Sequence, residues 1–481
     1  METQDRPPPP ITPWLLRGET DQTLQEPSSQ TELPSVTIVR QKRGRFQFHL
    51  QRQPQRGLKN NLSAGVGYLE LANAGDFAAN VWNIIPVPPY AVVFMAIGGA
   101  AALLMSLFAL RDFRLSWANV RLLLLERERL RRALDGQREQ EQTATVAVNN
   151  EKDNETVRLL RSRLGVCLRE IGTEVIDRLI MDALGGVGAV LVGVGTIMAI
   201  WGANPTIFHA SNLLSGYVGN SFTTLFGVLN AIWSAYLFLR YHRHSAAAAR
   251  NPTMNAFRDR YRLRFFHLQC HAVINGLTGL VAGAASMVTA TRWWGYVMLI
   301  PCILLSIFFN YFWRWKLGYD RPLWNESECE RTSSRRSRSL FEELEYVTTI
   351  HNALVQSGPD SLSLTLSTVD TGSLESILGF IVGNGIFEDF CAWISRDDDG
   401  ELLLRKLFPA SDTRALLCIT PGGLLKFAAK SDPDDDGRRE LLLVSSRRFL
   451  KDAGRRVFNY RERYLLELAG YAVWRDSRGR E

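Results

Sequence analysis

Catalytic vocabulary is missing from this chain. No G-x-S-x-G, P-loop, dinucleotide fingerprint or H-E-x-x-H occurs in its 481 residues, so the sequence points to no enzyme and no cofactor. Paired cysteines are missing too. Cys167, Cys270, Cys302, Cys329, Cys391 and Cys418 are scattered, with no C-x-x-C, which excludes a disulfide framework and fits free thiols in a reducing compartment. A formal charge of +7 comes without an aromatic-interleaved basic platform, so nucleic acid is not the expected partner. Met1–Ser35 lacks an apolar stretch and is rich in Pro, Gln, Thr and Glu. It reads as a disordered tail, not a secretory signal.

The most informative absence is that of charge. Five apolar runs, Tyr90–Leu110, Ala183–Trp201, Leu213–Leu239, Ala272–Ala290 and Trp294–Trp313, contain no Asp, Glu, Lys, Arg or His. Each has about the 20 residues that a helix needs to cross roughly 30 Å of hydrocarbon. A backbone in lipid must satisfy its own hydrogen bonds, so the runs predict helices. Without intramembrane charge, a proton relay has no sequence support. The expected fold is an all-α transmembrane bundle of about five helices, with a cytosolic helical hairpin and a small, mainly α C-terminal domain.

Arginine sets the expected topology. Arg111, Arg114, Arg121, Arg127, Arg129, Arg131 and Arg132 follow the first run, and Arg243 to Arg264 precede the fourth. Gly202–Asn212 carries no Lys or Arg. The positive-inside rule puts the basic segments in the cytosol. Five spans then leave the N-terminus external or lumenal and the C-terminus cytosolic. Arg40, Lys42, Arg43, Arg45, Arg52, Arg56 and Lys59 oppose that orientation, since it sends them outside.

Within the runs, small residues recur at helical spacing: Gly185, Ala189 and Gly193 in the second, Gly279 and Gly283 in the fourth. Such stripes let backbones approach closely, within one chain or between two copies of it. The third run is the most polar. Asn220, Thr224 and Asn230 are candidates for inter-helix hydrogen bonds or for the lining of a conduit.

Between the first two runs, Leu115–Leu134 is helix-forming. Val157, Leu160, Leu164, Leu168, Ile171, Val175 and Leu179 then recur at three- and four-residue steps. The two stretches predict an antiparallel helical pair over 115–181, with a partner-binding coiled coil as the alternative. Arg258, Arg260, Arg262 and Arg264, interleaved with Phe257, Tyr261 and Phe265, predict a basic interfacial helix against anionic headgroups on the cytosolic side. His267, Cys270 and His271 share a face but lack a fourth ligand, so no metal site is assigned.

The expected organisation is a disordered tail with a basic stretch (1–80), the transmembrane region (81–320), an Arg/Ser linker (321–339) and a C-terminal globular domain (340–481). Two acidic clusters in that domain imitate calcium loops. Asp432, Asp434 and Asp436 would place Leu443 where a bidentate glutamate is required, and Asp397 and Asp399 would place Lys406 there. Both read as acidic turns.

Val81-Trp-Asn-Ile-Ile-Pro-Val-Pro-Pro-Tyr-Ala-Val-Val-Phe-Met-Ala-Ile-Gly-Gly99, Ala109-Leu-Arg-Asp-Phe-Arg114 and Tyr460-Arg-Glu-Arg-Tyr-Leu-Leu-Glu467 together resemble an uncharacterised group of filamentous-fungal integral membrane proteins, over about Ala79 to Gly470. The resemblance implies multi-pass architecture and no chemistry. The sequence therefore predicts a non-enzymatic membrane scaffold or tether whose cytosolic domain binds a protein partner, with self-association open. A channel or transporter-like protein using the polar third run is the alternative.

Overall fold

A computed structural model of the protein describes residues 35–40, 46–48, 57–59, 71, 74–82, 87–143, 150–324, 339–356, 370, 372–396, 404, 416–429 and 437–479. The first 34 residues, most of the Arg/Ser linker and the clusters at 397–399 and 432–436 lie outside the described residues.

Five helices are long and apolar enough to cross a membrane: Pro89–Glu139, Asn154–Trp201, Pro205–Arg250, Pro252–Thr289 and Gly295–Leu317. Each contains its apolar run to within one residue, and the first four extend well past it. Helix α1 (Phe77–Val81) precedes α2 (Pro89–Thr143). At 55 residues, α2 is roughly 80 Å long, more than twice the hydrocarbon thickness. The return rod joins α3 (Asn150–Thr173), a π-helical stretch (Glu174–Ile180) and α4 (Met181–Met198). Span three is α5 (Pro205–Ser211), a second π stretch (Asn212–Gly219) and α6 (Asn220–Arg250). Helices α7 (Arg258–Thr289) and α8 (Gly295–Phe312) complete the bundle.

Two Asn-Pro dipeptides start spans three and four. The Asn204 side chain accepts from the Thr206 N–H at 3.0 Å, and the Asn251 side chain from that of Thr253 at 3.0 Å. In each case proline follows as a first helical residue, where its missing N–H costs nothing.

The expected helical pair is present, as the continuation of spans one and two past the apolar runs. Leu123, Leu130 and Leu134 of α2 pack on Val157, Leu160 and Cys167 of α3.

The C-terminal stretch comprises α9 (Leu340–Gln356), α10 (Leu374–Gly383), α11 (Phe387–Ile394), α12 (Pro421–Ala428), α13 (Arg438–Phe449) and α14 (Arg455–Arg478). Helices α10 and α11 meet at 118°, at a turn where Gly385 has φ 65°. That conformation favours glycine. Their apolar residues, Leu374, Ile377, Ile381, Phe387 and Phe390 among them, fill a core with Val347, Leu442, Phe449 and Phe458.

Two expectations change. First, the tail read as disordered to residue 80 contains β1 (Val36–Arg40), β2 (Phe46–Phe48), β3 (Gly57–Leu58) and α1. Strand β1 pairs antiparallel with β5 (Leu416–Ile419), Val36 opposite Ile419, in a sheet of order β2-β1-β5. Strand β3 pairs with β4 (Arg321–Pro322). The tail expected across the membrane from the C-terminal stretch thus shares a sheet with it. Second, residues 340–481 do not pack as a detached unit. Leu466, Ala469 and Val473 of α14 join one core with Leu237, Tyr241, Phe265 and Leu268 of α6 and α7.

Candidate functional site

The densest chemistry lies where one end of spans one, two and four meets α14 and the strand after span five. Glu126 comes from α2, Arg169 and Glu170 from α3, Arg264 from α7, Tyr319 and Arg321 from the strand region, and Glu467 from α14. All seven are at most 7% exposed.

Arg321 is the hub. Its Nη1 and Nη2 donate to the two carboxylate oxygens of Glu126 at 2.7 and 2.6 Å, and its Nε donates to Glu170 Oε1 at 3.0 Å. Glu126 also accepts the Trp324 backbone N–H at 2.9 Å. Tyr319 donates its hydroxyl proton to Glu170 at 2.8 Å and lies 3.3 Å from Glu467. Arg169 donates to that hydroxyl at 2.7 Å and pairs with Glu467. Arg264 Nη2 donates to the other Glu467 oxygen at 2.9 Å. Three guanidinium groups therefore face three carboxylates with no net charge left over. Burial alone would lower the pKa of Arg321, but Glu170, with Tyr464 and Glu126 behind it, outweighs burial and holds it well above its ordinary value.

Around this junction, Arg463 caps the end of span five, donating to the Gly318 and Trp315 carbonyls at 2.8 and 3.0 Å. Glu462 accepts from Arg260 and pairs with His351, tying α14 to α7 and α9. A pocket beside the junction, lined by Lys59, Glu170, Thr173, Arg178 and Tyr319, holds about 40 Å³. That suits a few waters and falls far short of the ~300 Å³ of a small-molecule site.

The candidates read from sequence take these places. Asn220 is buried and donates to the Ser286 carbonyl at 2.9 Å. Thr224 donates to the Gly283 carbonyl at 2.8 Å, and Asn230 exchanges hydrogen bonds of 3.0 Å with Asn275. All three bind α6 to α7. Gly279 and Gly283 face the same seam, where an added Cβ would lie 2.8 Å from Asn230 and 2.9 Å from Thr224. Ala189 packs on Ala102 and Ala109 of α2, Gly193 lies against Gly99 and Leu103, and Gly185 is half-buried on the same helix.

The four arginines of α7 divide. Arg258 and Arg262 are exposed. Arg260 and Arg264, expected at headgroups, instead turn inward to Glu462 and Glu467, because α14 covers that face of the helix. His267 and His271 lie against Phe312 and Trp313. Among the described residues no group of three His, Cys, Asp or Glu side chains could hold a metal ion.

Comparison with protein families, with curated proteins and with solved structures returns no match. The geometry is therefore the whole basis for a functional reading.

One further buried carboxylate carries no mark in the sequence. Asp76, just before α1, is fully buried. It accepts from Tyr296 and Asn80 at 2.8 Å each, which clamps α1 to the start of α8. It lies outside the charge-free runs, ahead of the first of them. The junction was equally hidden, since its members are spread from Glu126 to Glu467.

Proposed function

We propose that this is a non-enzymatic membrane scaffold, in which a five-helix bundle and the C-terminal helices form one platform that presents a cytosolic surface to a protein partner. The observation that carries this reading is the neutral ionic junction. Every carboxylate in it is engaged by a guanidinium, so none is left as a base or nucleophile. Buried networks of this kind fix one arrangement of the elements that contribute to them. The polar face of span three supports the same reading, since its side chains are spent on span four and not on a water-filled path. Ala189, Gly193, Gly279 and Gly283 are likewise used in packing within the chain. Exposed Arg258 and Arg262 meet anionic headgroups on the cytosolic side and seat the platform on the membrane.

The test pairs two measurements on the full chain. Reconstituted into vesicles, it passes no ion or small solute above the protein-free rate, with Asn230→Leu unchanged. Purified in mild detergent from its own membranes, it keeps a partner at constant stoichiometry. Flux that Asn230→Leu alters would replace the scaffold with a conduit.

A further inference from the structure

Among the described residues, no side chain neutralises Asp76. It is fully buried between α1 and the start of α8, at the opposite end of the bundle from the ionic junction. Tyr296 donates to its Oδ1 and Asn80 to its Oδ2, each at 2.8 Å. No Lys, Arg or His among the described residues forms an ion pair with it. Burial pushes its pKa up to about 6, against the pull of the hydrogen bonds from Tyr296 and Asn80, and at neutral pH it stays ionised. An ionised carboxylate held out of water by neutral donors alone is costly; buried charges are normally paired or coordinate a cation.

Unused oxygens surround it. Asn220 of α6 stands beside the carboxylate. Its Nδ2 donates to the Gly216 and Ser286 carbonyls at 3.1 and 2.9 Å, so both amide protons are spent, and its Oδ1 accepts no hydrogen bond among the described residues. Ser286 Oγ of α7 has no partner among them either. Both residues are 0% exposed. Ser286 shares a helical face with Ala282 and Ala285, which pack with Tyr296 and Ala74. Orphaned oxygens at this depth are rare in folded proteins, and here two of them accompany one unanswered negative charge.

We propose that Asp76, Asn220 and Ser286 form a binding site for one small monovalent cation of the sodium class, set between α1, α6 and α7 and closed by Tyr296 of α8. One carboxylate with neutral oxygens is a hard donor set of low charge. It suits an alkali ion better than a divalent or transition metal, which would draw several carboxylates, imidazoles or thiolates. The bound ion neutralises Asp76, gives Asn220 Oδ1 and Ser286 Oγ a partner, and ties the segment before the first span to spans three and four. Such a site goes beyond the scaffold reading and stands whether or not a protein partner is found.

The test uses the full chain in mild detergent at neutral pH, with sodium chloride replacing choline chloride at constant ionic strength. The thermal midpoint rises with the logarithm of sodium once the site fills, as linkage to a ligand of the folded state requires. Asp76→Asn, which keeps the side chain's shape and removes its charge, flattens that rise, whereas Asp259→Asn on the exposed face of α7 leaves it intact. A wild-type midpoint that ignores sodium would overturn the site. So would a midpoint that follows pH around 6 and not sodium, since a proton would then hold the place, or an Asp76→Asn midpoint that climbs like the wild type. If Asp76→Asn does not fold, Ser286→Ala carries the assignment, because it leaves the bond between Tyr296 and Asp76 in place. It needs several-fold more sodium for the same rise, and an unchanged requirement would overturn the proposed ligand set.

Discussion

Arg321 illustrates how much one buried side chain can organise. Its guanidinium is bidentate to Glu126 and also bonded to Glu170, so it ties α2 to α3 from a strand that belongs to neither. Lysine offers a point charge in place of a planar fork and cannot hold both carboxylates. Arg321→Lys lowers the thermal midpoint of the detergent-purified chain. Arg321→Ala, which strands buried carboxylates, costs about 3–5 kcal/mol, measured by denaturant unfolding. Glu462 supplies a pH prediction. Burial alone would raise its pKa, but hydrogen bonds from His351 and Arg260 outweigh burial and hold it below the usual 4.5. A carboxylate depressed in the folded state contributes stability that is complete above its unfolded pKa and is lost as pH falls through the folded value. Stability of the α14 contact therefore declines on acidification below about pH 4. Glu462→Gln flattens that acid limb in a melting series, and an unchanged limb would remove Glu462 from the account.

At the scale of elements, the seam between α6 and α7 shows what sequence can and cannot reveal. The runs of Leu213–Leu239 and Ala272–Ala290 announced two helices, and the small and polar residues on them announced a packed face. Their partner was not legible, because a stripe of Gly279 and Gly283 fits a second copy of the chain as well as a neighbouring span. Only the observed closeness decides it: a Cβ on Gly227 would sit 2.3 Å from the Gly279 carbonyl. Gly227→Ala forces the helices apart and costs about 1–3 kcal/mol. Asn230→Leu, which deletes two side-chain bonds, costs about 1 kcal/mol. Both are read by unfolding in bicelles, and a neutral Gly227→Ala would mean the seam is looser than described. The strands were hidden for a different reason. Val36–Arg40 is short, and its partner Leu416–Ile419 lies near the other end of the chain. Pairing over such a distance leaves no local signal, whereas α3 declared itself by periodicity alone. The arginines of α7 divided for a related cause. Their alternation with aromatic residues describes a basic amphipathic face, but it does not say whether lipid or α14 lies against it.

Across the whole molecule, the boundary near residue 340 separates composition and not packing. Leu466, Ala469 and Val473 of α14 are buried against Tyr241, Phe265 and Leu268 from spans three and four. Gly470 sits so close to Tyr261 that an added Cβ would meet its hydroxyl oxygen at 2.7 Å. Glu467 on the same helix pairs with Arg169 and Arg264 from the bundle. The C-terminal helices therefore share one core with β1 and borrow half of a second. Cut away at Leu340, they would expose the α14 face and leave Glu467 without its guanidinium partners, an apolar surface with an unpaired charge in its middle. The isolated 340–481 fragment accordingly binds a hydrophobic dye and exchanges its α14 amides quickly, whereas in the full chain the same amides are among the slowest. Hydrogen exchange followed by mass spectrometry on both forms measures the difference. Equal protection of α14 in fragment and full chain would make the stretch an independent domain, and the platform would then be two bodies joined by a linker. Slow exchange confined to the full chain means that anything docking on the C-terminal helices pulls on the membrane bundle through α14.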